Sequence, residues 1–532
     1  MMLNHNNIFL LKKIPLLGIF IIIYSLSNAQ QFNYFNYRYD INENGLQDDC
    51  SAIVETDDGF IISGSSLVVS DNIYWWEKKL TKLNYNGTVL YIKTYGEDSI
   101  DYFFSYYPGY LIEIDDNYFA VGKKRTHYPD GLHDEATLMY LDENLDTLWM
   151  KRYGEKEKPY DTAYLFSCLE EINQGNLIIA GAWKPNGLAT HVYLLKTDSS
   201  GNKIWDKSYS YYNYYIEGTS VAQTTDSGYV IGCFSQIPGY PSTVDPVLIK
   251  TDSLGNQEWT KNLGGPYHDS NPMVSISFDG NIIVGTSYGD TMATPDNPIS
   301  RINIIKLDNE GNVIWNRKYG TSERSKYLHN IRILSDGSII SVGSVYRFNP
   351  EPDRISWILK TSPEGDSIWY REYEYLSGYQ SRNYLYDIIP TSDHGLIACG
   401  YVEPHPPDTG STDTWVIKLD SIGCDTAGCD PTVWVPEEEK RRGGEEGNQL
   451  VLWPNPARTV LSVKVSGLSS GKSYSLVLYD IFGRSAPTPG PAPNRGKGEF
   501  LVDVSALPPG LYLVVLKDGL TVKASAKFVV VR

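Results

Sequence analysis

The sequence predicts an all-β protein: a seven-bladed β-propeller with four strands per blade, the N-terminal strand closing the last blade, followed by a small C-terminal β-sandwich. Three observations carry this reading. A segment typified by "SISFDGNIIVGTS" occurs seven times, its closing position falling at Gly64, Gly122, Gly181, Cys233, Gly285, Gly343 and Gly400, so the period runs from 52 to 59 residues. A second segment, typified by "KLDNEGNVIWNRKYG", recurs in phase with it. Short alternating or apolar runs separated by Asp, Asn, Ser and Gly turns fill both, and no helical period is sustained.

The fifth copy shows the order of elements. "PMVSISF" is followed by a "DG" turn, "NIIVGTS", a longer loop, "INIIKLD", the turn "NEGN" and "VIWNRKYG". These read as four strands joined in hairpins, and four strands at this repeat length describe a propeller blade. The fourth strand follows only six of the seven copies, at Tyr91, Trp149, Trp205, Trp259, Trp315 and Trp369; after the seventh, "KLDSIG" runs into "CDTAGC". The missing strand is found near the N-terminus, in "NYFNYRYD". Phe35 to Tyr39 repeats the aromatic step of Trp315 to Tyr319, and Phe35 precedes Tyr91 by 56 residues, in phase with the rest. The N-terminal segment is therefore expected to pair with "TWVIKLD" and to remove the open edge of a linear array.

Residues 1–29 carry Lys12 and Lys13, an apolar run and the small-residue site "SNA", the pattern of a secretory signal peptide. The propeller is placed at 30–423, a Cys loop and charged linker at 424–449, and the sandwich at 450–532. Six cysteines in an exported chain are compatible with disulfides; Cys424 and Cys429 are close enough to close a small loop, whereas Cys168, Cys233 and Cys399 sit in apolar strand patterns as buried thiols. A net charge of −18 argues against nucleic acid as a partner. Tyrosine, at 41 residues against 15 Phe, suits both half-buried strands and contact surfaces.

The tail carries a specific resemblance. "WPNPA" at 453–457, "DIFGR" at 480–484, "LPPGLY" at 507–512 and "KFVV" at 527–530 resemble, in order and terminal position, the C-terminal sorting domain of type IX secretion cargo in Bacteroidetes-type bacteria. On this resemblance Pro454, Asn455, Pro456, Asp480, Gly483, Arg484, Gly510 and Tyr512 are the sorting-motif residues. It implies contact with the type IX secretion machinery, passage through the outer membrane, removal of the domain near the linker, and release or surface attachment. In the ring, Asp308, Gly311 and Trp315 resemble the tryptophan-docking repeat of quinoprotein-like propellers, a likeness that bears on architecture alone.

Short turns should occupy one rim of the ring and long connections the other, where function usually sits. The long connections are rich in Tyr, Trp, Pro and Asp. Trp75, Trp76, Tyr107, Tyr212, Tyr214 and Tyr215 are the candidate binding residues, for sugar stacking or protein contact; the same aromatics could instead pack the loops. Catalytic patterns fail on inspection. "GTSYG" is not followed by a helix, adjacent cysteines of quinone enzymes are absent, and the Asp198–Gly201–Trp205 spacing does not fit a sialidase turn. "DINENGLQDD", Asp40 to Asp49, resembles a calcium loop but has Ala52 where the bidentate Glu belongs. His127, His133, His191, His268 and His405 show no paired ligand spacing. The expectation is a non-enzymatic binding or adhesion module, monomeric and without cofactor or metal, taking a glycan or a surface protein. The alternative is an extracellular glycan hydrolase or lyase with Glu55 and Glu113 as channel carboxylates.

Overall fold

The computed structural model describes residues 33–429 and 449–531 apart from connecting segments, of which 154–161, 238–242, 348–352, 467–473 and 481–498 are the longest. The leader 1–29 lies outside the described residues. Among those residues the regular structure is strand throughout, and no helix is long and apolar enough to cross a membrane.

The strands form repeated antiparallel units. The first unit comprises Ala52–Thr56, Gly59–Ser70, Ile73–Asn84 and Val89–Tyr95, paired in that order. The third, fourth and fifth repeat the same four-strand order, over 162–209, 215–262 and 273–319. In the second unit Asp101–Phe104 and Leu111–Ile114 both pair with Asn117–Tyr128, so its first strand is interrupted. The sixth unit, 326–373, and the seventh share one sheet through a single parallel bridge, Arg354 to Arg382. The seventh holds three strands of its own, Arg382–Pro390, Leu396–Glu403 and Asp413–Leu419. Its fourth is Phe35–Tyr39, antiparallel to Asp413–Leu419 with Phe35 opposite Lys418 and Tyr39 opposite Thr414.

Hydrophobic clusters straddle successive units. One joins the third to the fourth through Ile178, Val192, Ile231 and Val247, and another joins the seventh to the first through Phe35, Cys399, Val416, Ile53 and Phe60. The fourth–fifth, fifth–sixth and sixth–seventh junctions are filled in the same way, as are the first three units together. No sheet buries both faces alone; each relies on its neighbours.

The aromatic step seen in the sequence is a latch between neighbours. Trp149 lies against Gly201 in the outer turn of the next unit, and Tyr153 Oη donates to the Gly201 carbonyl at 2.7 Å. Gly255 is held in this way by Trp205 and Tyr209, Gly365 by Trp315 and Tyr319, and Gly423 by Trp369 and Tyr373. Phe35 and Tyr39 make the same contact with Gly87 of the first unit, Tyr39 Oη donating to its carbonyl at 2.6 Å. These glycines have positive φ (Gly201 at 71°), which glycine adopts without steric cost. A side-chain oxygen at the start of each turn completes it: Asp198 Oδ1 accepts from the amides of Ser200 and Asn202. At the same end of the units, the Asp of five first-hairpin turns holds a Lys near the end of the third strand, as in Asp226–Lys250 at 2.8 Å and Asp393–Lys418 at 2.9 Å.

The tail has two three-stranded sheets. One holds Gln449–Trp453, Val460–Ser466 and Glu499–Asp503; the other holds Tyr474–Asp480, Gly510–Asp518 and Thr521–Val530. Leu461, Val463, Leu478, Val502, Val514 and Phe528 from both sheets form one buried core. Cys424 and Cys429 are disulfide-bonded, while Cys50, Cys168, Cys233 and Cys399 are buried thiols.

Candidate functional site

The first strand of the third, fourth, sixth and seventh units departs from simple pairing in one respect. Register shifts between Phe166 and Cys168, Gly218 and Ser220, Leu328 and Asn330, and Leu385 and Asp387 each leave one extra residue, namely Ser167, Thr219, His329 and Tyr386. These are β-bulges, which bend a strand and re-aim a side chain. They explain the repeated glycine in the sixth and seventh units. A Cβ on Gly343 would stand 1.9 Å from the Tyr327 carbonyl oxygen, and one on Gly400 1.9 Å from that of Tyr384. In the first unit Gly64 meets Asp49 O in the same way, at 1.8 Å.

In the last two units the bulges bring two rings together. His329 and Tyr386 stack with centroids 4.5 Å apart and planes 10° from parallel. The His329 Nδ1–H donates to Leu385 O at 2.7 Å, and burial lowers the imidazole pKa to about 4, so the ring is neutral near pH 7. Tyr386 then joins Tyr384 and Tyr401 in a cluster with centroid separations of 4.9 to 6.0 Å.

This cluster forms one wall of a cavity of about 280 Å³. The remaining walls come from Gln47, Asp48, Asp49, Cys50 and Ser51, from Trp76, and from Glu403 and Thr412. Every one of these positions lies at the end of its strand remote from the "DG" turns: 47–51 precede Ala52–Thr56, Trp76 opens the third strand of the first unit, and Glu403 closes Leu396–Glu403. The cavity thus opens on the face of the long connections, at the junction of the seventh and first units.

Its acidic groups differ in character. Asp49 Oδ1 accepts from Ser65 N at 2.7 Å, and burial pushes its carboxyl up to about 7. Glu403 pairs with Arg382 at 3.0 Å and contacts His405 Nε2 at 3.1 Å. Asp48 Oδ2 accepts from Ile41 N at 2.8 Å. Beside the cavity, oxygens of Asp40, Asp48 and Asp413 lie within 4.8 Å of one another. Arg38 Nε stands 2.6 Å from Asp413 and neutralises part of that charge. The calcium-loop residues Asp40 and Asp48 are therefore brought together, with Asp413 in place of the absent glutamate.

Of the aromatics singled out in the sequence, Trp76 lines the cavity. Trp75 is buried, with Nε1 donating to Glu77 at 3.2 Å, so it offers no open stacking face. Tyr212 is exposed on a connection, and Tyr215 donates to Glu217 at 2.9 Å beside Phe234. Neither of these two tyrosines lines the cavity. Tyr107 and Tyr214 lie outside the described residues. Glu55 and Glu113 are also elsewhere, near the "DG"-turn end of their strands; Glu55 accepts both the amide and the hydroxyl of Ser392 at 2.8 Å. The centre of the units is crossed instead by a different network. Asp387 accepts from Asn330 at 2.6 Å, Arg332 at 3.1 Å and the Ile53 amide at 3.2 Å. Arg332 also lowers the pKa of Glu170 in the third unit, which burial pushes up to about 7.

In the tail, Tyr512 is buried, stacks on Phe528 at 5.6 Å and donates to Pro508 O at 2.9 Å. Gly510 opens that strand, and Asp480 pairs with Tyr512 in register. Pro454, Asn455, Pro456, Gly483 and Arg484 lie outside the described residues.

Comparison with known proteins gives one family match: residues 451–531 match the family described as "Secretion system C-terminal sorting domain". The chain thus carries a type IX sorting domain, which engages the type IX machinery and directs the protein out of the cell and to its surface. No curated protein matches the chain. Among solved structures it is similar to a protein of unknown function from Dyadobacter fermentans (8% identity, 64% of this chain and 94% of that one, TM-score 0.35). An ulvan lyase of polysaccharide lyase family 25 gives 8% identity over 70% and 95%, with a TM-score of 0.44. An α-L-arabinanase from Penicillium chrysogenum gives 13% over 58% and 92%, with a TM-score of 0.38. None of these likenesses is strong enough to bear on chemistry.

Proposed function

We propose that this is a secreted, surface-delivered binding module whose site is the cavity between the seventh and first units, and whose ligand is a glycan. Its scaffold is a closed seven-bladed propeller over 30–423, with a signal peptide at 1–29, a linker at 424–449 and the sorting domain at 450–532. Closure is supported by the pairing of Phe35–Tyr39 with Asp413–Leu419 and by the latch of Phe35 and Tyr39 on Gly87.

The observation that carries the functional reading is the cavity lining. Trp76, Tyr386 and Tyr401 supply ring faces, while Asp48, Asp49 and Glu403 supply acceptors. Flat apolar faces with a few placed polar groups suit a sugar ring, whose C–H faces stack and whose hydroxyls donate. The volume lies near the low end for ligand pockets, roughly 300 Å³, and fits the end or a single residue of a chain.

A second reading, glycan cleavage, is favoured by one specific feature: Asp49, its carboxyl pushed up to about 7 by burial, lines the same cavity as Glu403, which is paired with Arg382. Two carboxyls in unlike surroundings, one buried and one paired with a cation, are the pattern of an acid and its partner. It replaces Glu55 and Glu113, which do not reach the cavity.

A glycan array probed with the mature secreted protein, run beside a product assay on the glycans that bind, separates the two. Saturable binding without product, weakened at least tenfold by Trp76→Ala and by Tyr401→Ala, supports the binding module. Product that vanishes with Asp49→Asn replaces it with the enzyme. Binding indifferent to both aromatic substitutions refutes the cavity as the site.

A further inference from the structure

We propose that the glycan is anionic and that Arg354 receives its carboxylate or sulfate, one aromatic ring away from the residue seated in the cavity. This rests on the cavity as the binding site.

Arg354 differs from the six arginines that form ion pairs. Arg38, Arg125, Arg152, Arg324, Arg332 and Arg382 each face a carboxylate. Among the described residues no carboxylate forms an ion pair with Arg354. Its guanidinium instead stands among three tyrosine rings, 5.6 Å from Tyr327, 5.5 Å from Tyr346 and 5.6 Å from Tyr384. Rings on several sides hold a planar guanidinium by cation–π attraction and fix its orientation. The Tyr384 hydroxyl accepts from the guanidinium, and the ring faces take up none of the remaining N–H groups, which are left for a group with paired oxygens.

Tyr384 ties this fork to the cavity. Its ring lies 5.6 Å from the Arg354 guanidinium and 4.9 Å from Tyr401, which lines the cavity wall. Tyr384 is itself buried, so it acts as the packed link that sets the spacing between the cavity wall and Arg354. The neighbouring cation, Arg382, is spent on Glu403. His329, also beside Tyr384, carries no charge near pH 7. The cavity itself, with Asp48, Asp49 and Glu403, disfavours an anion within it. The arrangement therefore specifies position as well as charge: a hydroxyl-bearing ring in the cavity and an acidic substituent beyond it.

The test measures affinity of the full mature protein by calorimetry for four probes. These are a galacturonate oligosaccharide, its carboxyl-reduced counterpart, a sulfated galactan oligosaccharide and its desulfated counterpart. At least one charged probe is expected to bind tenfold or more tightly than its neutral form, with the preference shrinking as salt is raised. Which pair shows the preference tells carboxylate from sulfate. Arg354→Gln should abolish the preference and leave neutral binding in place. Arg354→Lys, which keeps the charge and ring contact, should retain part of it and serves as the folding control. Trp76→Ala should weaken charged and neutral probes alike; if it changes neither while Arg354→Gln still acts, the cavity reading fails and the Arg354 reading stands. Equal affinity for charged and neutral forms, binding of neither charged probe, or a preference that survives Arg354→Gln overturns the proposal. Should Arg354→Gln not fold, a wild-type preference unaffected by salt overturns it equally.

Discussion

Asp49→Asn should make the protein more stable at pH 8 and leave it unchanged near pH 4. In the folded chain the Asp49 carboxyl titrates at about 7 against 3.8 in the reference state, because burial penalises its charged form. At 1.36 kcal/mol per pH unit that difference amounts to about 4 kcal/mol. The sign follows from proton counts. Between pH 3.8 and 7 the folded state holds the proton that the unfolded state has lost, so stability falls as pH rises through this window and stays low above it. Asparagine keeps the Oδ1 that accepts from Ser65 N and never bears the charge. Water entering the cavity relieves part of the burial, so the expected gain at pH 8 is about 2–4 kcal/mol. Urea unfolding of both proteins at pH 4, 6 and 8, followed by tryptophan fluorescence, measures it. A gap that does not grow with pH, or a variant less stable than wild type at pH 8, would refute the assignment. A residue that weakens the fold at the pocket wall is the exchange expected where function constrains sequence.

Lys78 is fully buried, donates to Thr137 Oγ1 at 2.8 Å and has its pKa lowered to about 7 by burial. Lys78→Met should therefore stabilise the fold at pH 7 by about 2–3 kcal/mol, less than the full shift because Thr137 loses its partner. The gap should narrow between pH 7 and 10, where wild type regains stability; calorimetry at both pH values checks it. Gly400→Ala should cost about 3 kcal/mol or more, since the new Cβ meets the Tyr384 carbonyl, and denaturant titration reads the loss. Deletion of 450–532 should strand the protein in the periplasm, seen by cell fractionation; delivery to the surface without the tail would contradict the sorting assignment.

Much of the architecture was legible because its signals are local. Turn residues mark hairpins within a few positions, and the aromatic step of Phe35 to Tyr39 sufficed to place a strand next to Asp413–Leu419. The repeated glycine was visible, yet its reason was not: Gly343 and Gly400 face a carbonyl beside the bulge of another strand. The site was less readable for the same reason. Density of aromatics in long connections drew attention to Trp75, Tyr212 and Tyr215, but burial and pairing, settled by distant neighbours, leave only Trp76 of the described candidates on the cavity wall. Tyr386, Tyr401 and Glu403 looked like ordinary strand residues. The one available hint was the extra residue in "NYLYDIIP" relative to a plain alternating strand, which becomes meaningful only once its opposite partner is known.

The latch of Phe35 and Tyr39 on Gly87 has a consequence for biogenesis. Phe35–Tyr39 finds its partner strand about 380 residues later in the chain. During that interval it is a free end, and the first unit waits with its outer turn uncovered. Once Asp413–Leu419 emerges, its open edge will accept any matching strand, including the leading segment of a second molecule. At low concentration the chain's own end wins, because the entropic cost of closing a long loop grows only slowly with its length. In a crowded periplasm the same chemistry would link molecules head to tail by exchanging identical strands. Traffic through the export pathway thus becomes a determinant of which assemblies reach the surface.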